Sequence, residues 1–498
     1  MTWPRPRSLG ELADVIGPMR VVGVPLGDVT SLAYDSRHAT AGALFFAVPG
    51  DHVDGHDFIA DSVARGAVAV VAERETPDAT VPQLLVPRTR DALADAADAW
   101  HGRPSEQLEV IGVTGTDGKT TTCYLAVAAL VAGGRRPGMI GTVAVRVGDR
   151  EWSNEDRNTT PEAPELQALL AGMIEARNDS VVIEATSHGL AQSRVRNCRF
   201  RIAIVTNVTS EHLEFHGTLE AYWAAKAMLV EEAPLAILNA DDPTFGYFRE
   251  RARDRVLTYG TDASAQVRAT NIQARADGTT FTATTPRWSG AVNLRLPGAF
   301  NVHNALAALA LAEAEGIDTA VAAAAIGSVS GVPGRMERID AGQPFGVVVD
   351  YAHTAESLDK VLRTLRPLTK GRLIVVFGSA GERDRVKRPA MGRIAAELAD
   401  LAIVADEDPR LEDPRVINEE IADGARSAGS RDGETLWVID DRRAAVAHAI
   451  GLAKAGDTVL LAGKGHEASI IHGTEKRPWD EREVARQELA AAGFKADA

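Results

Sequence analysis

The stretch GVTGTDGKTTT, residues 112–122, follows the largely apolar run 108–113 and opens a helix-forming segment. A glycine-rich turn between a strand and a helix N-terminus is the setting of a phosphate-binding loop, because the unsatisfied N–H groups of the first helical turn converge on one point. Gly115 and Gly118 permit the tight turn, and the successive backbone N–H groups of Thr116, Asp117 and Thr121 can then face phosphate oxygens. Lys119 adds a point charge on a transferring phosphate, and the Thr120 hydroxyl is placed for Mg²⁺. From Gly115 the spacing is G-x-x-G-K-T, shorter than the general loop, and counting from Gly112 gives one residue too many. The chain has no Asn-Lys pair of the kind that reads a guanine base, which argues against a regulatory GTPase. From this loop alone a kinase or a motor stays open.

Outward from the loop, runs 181–184, 202–207 and 235–239 read as strands with helical segments between them, the alternation of a mostly parallel sheet. Residues 267–296 change to Thr-rich alternation, expected as an antiparallel flank, and an Ala-rich helix over 305–314 follows. Before the loop lie short apolar strands at 43–48 and 67–72. After about residue 341 come strands at 347–350, 373–377, 401–405, 436–439 and 458–462, each followed by a Gly-, Asp- or His-bearing loop. Ligands of doubly wound sheets sit at such carboxyl ends. The expected fold is α/β in three domains: a smaller N-terminal one (1–104), a central P-loop ATPase-like one (105–340) and a Rossmann-like C-terminal one (341–498). A chain of 498 residues is too long for a single core.

Composition narrows the class of function. A formal charge of -15 argues against nucleic-acid or anionic-membrane binding. No apolar run nears the roughly 18 residues of a membrane helix, and the opening residues lack the apolar core of a leader peptide. Cys123 and Cys198 alone make neither a disulfide framework nor a zinc site. A bacterial cytoplasmic protein, acting as a monomer, is expected.

The loop TGTDGKTT resembles that of the Mur ligase family, whose usual form has Asn at the position of Asp117. Further family-like segments follow in order: EATSHGL (184–190), NVTSEHLEFHGT (207–218), AAKAML (224–229), FNVHNALAA (300–308), GVPGRME (331–337), DYAHT (350–354), GSAGERDRVKRP (378–389), DEDPRLEDP (406–414) and GKGHE (463–467). They span nearly the whole chain. YDSR (34–37), NTTP (158–161) and GKGHE look like the MurE type, which adds a diamino acid, meso-diaminopimelate or L-lysine or L-ornithine, to UDP-N-acetylmuramoyl-L-alanyl-D-glutamate during peptidoglycan synthesis. The resemblance implies ATP and Mg²⁺ and an acyl-phosphate intermediate.

Carried over position by position, the resemblance assigns Thr120 and Glu184 to one Mg²⁺, and Glu184, His212 and a carbamylated Lys226 to a second. It matches Asn304, Arg335, Asp350 and His353 to ATP, and Ser36, Thr159, Thr160, Thr186, Gln192 and Arg194 to the UDP-linked peptide. Arg383, Asp408, Arg410, Gly463 and Glu467 match the amino-acid pocket. Without the family, Glu184 reads as a solvated strand end, Lys226 as a solvated helix lysine, and His212 with His216 as a weak zinc pair. Asp350 and His353 read as an orienting pair with no Ser or Cys nucleophile beside it. The chain departs from the diaminopimelate pattern Asp-Asn-Pro-Arg at Asp408. Arg410 could grip a distal carboxylate, whereas Asp408 would favour a bare ammonium or neutralise Arg410 itself.

Two rivals stay in view. A folylpolyglutamate or cyanophycin-type ligase shares the core motifs but not YDSR and its N-terminal domain. A non-catalytic binding protein on the same fold has no need to keep Lys119, Glu184, His212 and His353 together.

Overall fold

The computed structural model describes residues 6–50, 53–77, 79–154, 158–209, 211–275 and 278–494; Ser210 of the NVTSEHLEFHGT segment lies outside them. The chain divides into two compact units, residues 1–268 with 307–322 and residues 269–306 with 323–498.

Besides the short pair Arg7–Ser8 with Asp28–Val29, the first unit holds an N-terminal and a central sheet. In the N-terminal one the order is Arg20–Val22, Gln83–Leu85, Ala69–Ala72, Ala43–Phe46, Ser31–Ala33, parallel except for the first pair. The expected strand 43–48 ends at Phe46, and 67–72 begins at Ala69. In the central sheet, Pro137–Ile140, Ser180–Glu184, Glu109–Thr114, Phe200–Val205, Leu235–Asn239 and Arg255–Gly260 run parallel in that order. Helices cover parallel strands on both faces, so these read as continuous apolar runs, here VVI at 181–183 and AIL at 236–238, all buried. The parallel order brings the ends of three neighbouring strands, Thr114, Glu184 and Val205, to one edge of the sheet.

In the Thr-rich flank, Gly278–Thr284 and Ser289–Leu294 form the antiparallel hairpin expected from the alternation, and Val267–Arg275 lies hydrogen-bonded beside Gly278–Thr284 while its first residues also join Arg255–Gly260 in parallel, with Val267 opposite Tyr259. The helix expected over 305–314 starts five residues earlier, as Phe300–Ala314, since FNVH is also helical.

The second unit carries a sheet ordered Glu337–Arg338, Gly346–Asp350, Thr458–Ala462, Leu373–Phe377, Leu401–Val404, Leu436–Val438, parallel beyond its first pair. Because Gly346–Asp350, Thr458–Ala462, Leu373–Phe377 and Leu401–Val404 run in one direction, the loops DYAHT, GKGHE, GSAGER and DEDPR all leave from the same edge. Among the described residues no helix is long and apolar enough to cross a membrane.

One buried ion pair ties this edge together. Arg442 and Glu481 are 1% and 0% exposed in their side chains and pair at 2.8 Å, and the Trp479 indole N–H also donates to Glu481 at 2.6 Å. The same guanidinium donates to the carbonyls of Ala462 and Asp406, at 2.7 and 3.2 Å, the residues that open GKGHE and DEDPR. A buried charge stripped of its partner is strongly destabilising. Arg442→Met is therefore expected to lower unfolding stability by about 3–5 kcal/mol, measured by urea titration beside the wild type; a change within experimental error would show that the pair contributes nothing net.

Candidate active site

In the first unit, Gly115 has φ 148° and a Cβ there would overlap the Thr206 hydroxyl, while Gly118, φ 81°, caps the Lys119–Ala132 helix. Both positions exclude larger residues, one by contact and one by backbone conformation. The loop is pinned from the next strand: Thr116 N donates to Asn207 O at 2.7 Å, Asp117 N to Asn207 Oδ1 at 3.0 Å, and the Thr206 hydroxyl to Asp117 O at 2.6 Å. Thr116 Oγ1 lies 2.9 Å from the Tyr222 hydroxyl, and Thr121 is buried. Lys119 Nζ donates to the carbonyls of Gly115 and Thr116, at 2.9 and 2.7 Å, so the loop caps its own cation.

Lys226 is 1% exposed, not the solvated helix lysine its Ala-rich segment suggests. The Leu219–Glu232 helix turns it inward, where Nζ donates to Gly115 O at 2.7 Å and lies 4.6 Å from the Tyr222 ring centre. Burial, and then the nearby Lys119 charge, hold its ammonium far below the ordinary lysine range. An amine in that state is a nucleophile.

Glu184, 1% exposed, is likewise not a solvated strand end. Its carboxylate accepts from the Thr120 hydroxyl at 3.1 Å, from Thr142 N at 3.0 Å and from the Thr142 hydroxyl at 2.9 Å. Among the described residues no lysine or arginine pairs with it. A buried carboxylate served by hydroxyls and one N–H, beside a phosphate loop, fits a hard divalent cation with oxygen ligands. Thr142, which sequence reasoning did not single out, is the residue that orients it.

The peptide-side residues form one network with this carboxylate. Thr159 Oγ1 lies 2.9 Å from Thr142 Oγ1; Thr160 Oγ1 donates to Glu184 O at 2.7 Å and lies 3.0 Å from Thr186 Oγ1. Arg194 donates to Thr160 O at 2.9 Å and to Gln192 Oε1 at 2.7 Å, and pairs with Glu162 at 3.0 Å. Glu162 also takes Arg90 from the N-terminal sheet's side, at 3.1 Å. Ser36, buried, opens the short 3-10 helix Ser36–His38 after the Ser31–Ala33 strand, and nearby Tyr34 donates to Glu165 at 3.1 Å.

His212 caps the short Leu213–His216 helix in left-handed conformation, φ 57°, so His212 and His216 do not share a helix face as a metal pair would. The His212 ring packs edge-on at 4.6 Å against His188, four residues after Glu184, and its nitrogens lie 3.4–3.6 Å from Glu214 and Glu211. His188 is pushed down to about 4 by burial and by the two neighbouring histidines. Among the described residues no group of three or more His, Cys, Asp or Glu side chains is placed to hold a metal ion by itself.

In the second unit, Asn304 donates to Asn301 Oδ1 at 2.9 Å, and Arg335 follows a turn closed by its own N–H to Val332 O at 3.0 Å. Asp350 does not read as an acid orienting His353: its oxygens accept from the backbone of Met336 at 2.7 Å and Ala352 at 2.8 Å, whereas His353 Nδ1 engages Tyr351 O at 2.9 Å. The hub that sequence reasoning missed is Tyr351. The Arg335 guanidinium lies 4.5 Å from its ring centre, the rings of His353 and His466 pack at 4.6 and 5.0 Å, and its hydroxyl donates to Glu467 at 3.3 Å. In the amino-acid loops Asp408 pairs with the buried Lys464 at 3.0 Å, a partner outside its own segment. Arg410, φ 55°, has a buried Nε without a partner among the described residues; Gly463 is buried and Arg383 exposed.

Three family patterns cover this chain: "Mur ligase family, catalytic domain" at residues 28–101, "Mur ligase middle domain" at 113–312 and "Mur ligase, glutamate ligase domain" at 334–465. The chain is 50% identical to a UDP-N-acetylmuramyl-tripeptide synthetase of Roseiflexus sp. (strain RS-1), over 94% of this chain and 96% of that one. It is 44% identical to a UDP-N-acetylmuramoyl-L-alanyl-D-glutamate--2,6-diaminopimelate ligase of Geobacillus thermodenitrificans (strain NG80-2), over 92% and 94% of the two chains. A solved structure of a ligase of that second name is 31% identical, with TM-score 0.68 over 99% of this chain and 100% of that one. The MurF ligase of Thermotoga maritima in complex with ADP, 21% identical with TM-score 0.59 over 93% and 96%, shares the fold. With a phosphate loop, a buried strand-end carboxylate and ordered C-terminal loops, and with relatives matching over nearly its whole length, this chain belongs to the Mur ligase family.

Proposed function

We propose that this protein is an ATP-dependent ligase of the MurE type, joining a diamino acid to UDP-N-acetylmuramoyl-L-alanyl-D-glutamate in peptidoglycan synthesis. The observation that carries this reading is the pairing of Thr120, at the end of the phosphate loop, with the buried Glu184 at 3.1 Å. The printed names of the relatives at 44–50% identity support the substrate. Residues 1–104 are assigned to the UDP end, 105–340 to ATP and the reacting carboxylate, and 341–498 to the amino acid.

The reaction runs in two steps. The substrate carboxylate attacks the γ-phosphorus of ATP, releasing ADP and giving an acyl phosphate. The amine then attacks the acyl carbon, loses a proton and expels phosphate, leaving an amide. Charge accumulates around the phosphoryl group in both steps, so positioned cations matter most. Lys119 exchanges its two loop carbonyls for phosphate oxygens when nucleotide enters. Thr120 and Glu184 would hold one Mg²⁺, and Glu184, His212 and carbamylated Lys226 a second; Mg²⁺ there offsets phosphoryl charge. Thr159, Thr160, Thr186, Gln192 and Arg194 orient the UDP-linked peptide beside Glu184, with Ser36 at the nucleotide end. Asn304, Arg335, Asp350 and His353 serve ATP, Asp350 by fixing the backbone of the turn that presents Arg335.

ADP release should require both the UDP-muramoyl dipeptide and a diamino acid; release with glutamate and a folate, or with none of these acceptors, would exclude the reading. Lys119→Ala should lower kcat by about 10²–10³, the usual effect of deleting one charge-stabilising donor, with an unchanged melting temperature. Lys226→Ala should nearly abolish turnover, because a neutral buried amine that adds CO₂ and loses a proton becomes a carbamate anion that Ala cannot supply. Small carboxylic acids should restore part of the Lys226→Ala activity and none of the Lys119→Ala activity. Equal rescue of both, or full activity in Lys226→Ala, would remove the carbamate from the mechanism.

A further inference from the structure

Side chains of the Thr89–Trp100 helix and its cap hold the segment 191–197, which carries Gln192 and Arg194. Arg88 donates to Ala191 O at 3.2 Å, Asp91 accepts from the Ser193 hydroxyl at 2.6 Å, and Asp95 accepts from Arg196 and Asn197 at 2.8 Å each. Positions 88, 91 and 95 share one helix face. Ser193 and Asn197 have φ 59° and 67°, a region that residues with a Cβ occupy at a cost, and both are gripped from that face. From the same helix Arg90 pairs with Glu162 Oε2 at 3.1 Å, while Glu162 Oε1 takes Arg194 at 3.0 Å. The side chains of Arg90, Glu162 and Arg194 are 22%, 14% and 13% exposed. Glu162 stands at the N-cap of the Ala163–Glu175 helix, yet its side chain makes no cap hydrogen bond; both oxygens go to guanidinium groups. Burial holds the Arg194 guanidinium below the ordinary arginine range, and Glu162 is the group that most opposes this.

We propose that Glu162 and Arg90 are positioning residues: Glu162 fixes the plane of the Arg194 guanidinium for an anionic group of the UDP-linked peptide, and Arg90 holds Glu162 in place from the Thr89–Trp100 helix. This rests on the reading of Arg194 as a contact of that substrate. A guanidinium is a planar fork, so its contacts with Glu162, Thr160 O and Gln192 Oε1 set its direction as well as its place. Tying Oε2 to Arg90 restrains rotation of the Glu162 carboxylate, which lowers the entropy cost of keeping Oε1 on Arg194. Both residues act through Arg194.

Binding of UDP-muramoyl dipeptide to the full-length enzyme, with Mg²⁺ and a non-hydrolysable ATP analogue, is followed by calorimetry. ADP release is followed with saturating ATP and a mixture of meso-diaminopimelate, L-lysine and L-ornithine. Glu162→Gln should raise the Kd and the KM of the dipeptide by about tenfold, the size of one lost charge-assisted contact. The KM of ATP and kcat should stay within about twofold of wild type, the pattern of lost ground-state binding. Arg90→Met keeps the apolar stem and should raise the dipeptide Kd by about fivefold, the upper range for a partly exposed ion pair. Arg90→Lys, which can still tie Oε2, should return it to within about twofold of wild type. In an Arg194→Met background, Glu162→Gln should change the Kd by less than about twofold, whereas a merely structural role would contribute its full factor there. Melting temperatures accompany each variant, and if Glu162→Gln does not fold, Arg90→Met, altering the most exposed of the three side chains, decides alone. An unchanged Kd in Glu162→Gln, an Arg90→Lys enzyme binding as weakly as Arg90→Met, or factors that multiply in the double variant would overturn the proposal. Wild-type enzyme that binds the dipeptide but releases no ADP would instead overturn the ligase reading, with the Kd values still deciding this one; wild-type enzyme that binds no dipeptide would overturn both.

Discussion

The first unit is organised around the Glu184 carboxylate, which is out of water and has no cationic side chain against it among the described residues. A lone buried carboxylate is expensive unless each oxygen is hydrogen-bonded. The surroundings meet that demand with Thr120 from the phosphate-loop helix and Thr142 from an adjacent turn, while Thr160 holds the backbone carbonyl of Glu184. The same hydroxyls continue into Thr159, Thr186 and Arg194. The group that makes a divalent ion favourable is thereby mechanically continuous with the groups assigned to the peptide substrate. On the other side of the loop Lys119 adds positive charge and shares Gly115 O with the buried Lys226 amine.

A comparable economy governs the second unit. Tyr351 touches Arg335, His353, His466 and Glu467, and Glu467 passes through Lys464 to Asp408. Connected polar networks of this kind restrict their side chains to few arrangements. Arg442 secures the two loops from beneath by binding the carbonyls of Ala462 and Asp406. Residues assigned to ATP and to the amino acid are thus linked within one body, so replacing a member should be felt at its neighbours.

What could be read from the sequence followed from local causes. Short apolar runs spaced by loops marked the parallel strands: 373–377, 458–462 and 235–239 coincide with the observed elements. The glycine spacing at 112–118 located the phosphate loop, since φ requirements and close approach are written in single residues. What failed depended on distant partners. Val267–Arg275 alternates like the antiparallel strand it forms beside Gly278–Thr284, yet its first two residues also pair in parallel with Arg255–Gly260, a contact that the alternation does not announce. Asp408, whose charge could be read as favouring a bare ammonium or as neutralising Arg410, also pairs with Lys464, 56 positions away. Tyr351 and Thr142 carried no signal beyond an ordinary tyrosine and threonine, as their roles exist only once strand ends are brought side by side.

By itself, the sequence determined the α/β class, the phosphate loop, and the ordered motifs that resemble the Mur ligases, because these depend on residue type, spacing and periodicity along one chain. Only the tertiary structure decided which charges are buried and what compensates them. Lys226 and Glu184 each read alone as solvated residues, and both lie at 1% exposure. Burial is a property of the neighbours that fold against a side chain, and hydrogen bonding and ion pairing at a few ångströms depend on where separate strands end.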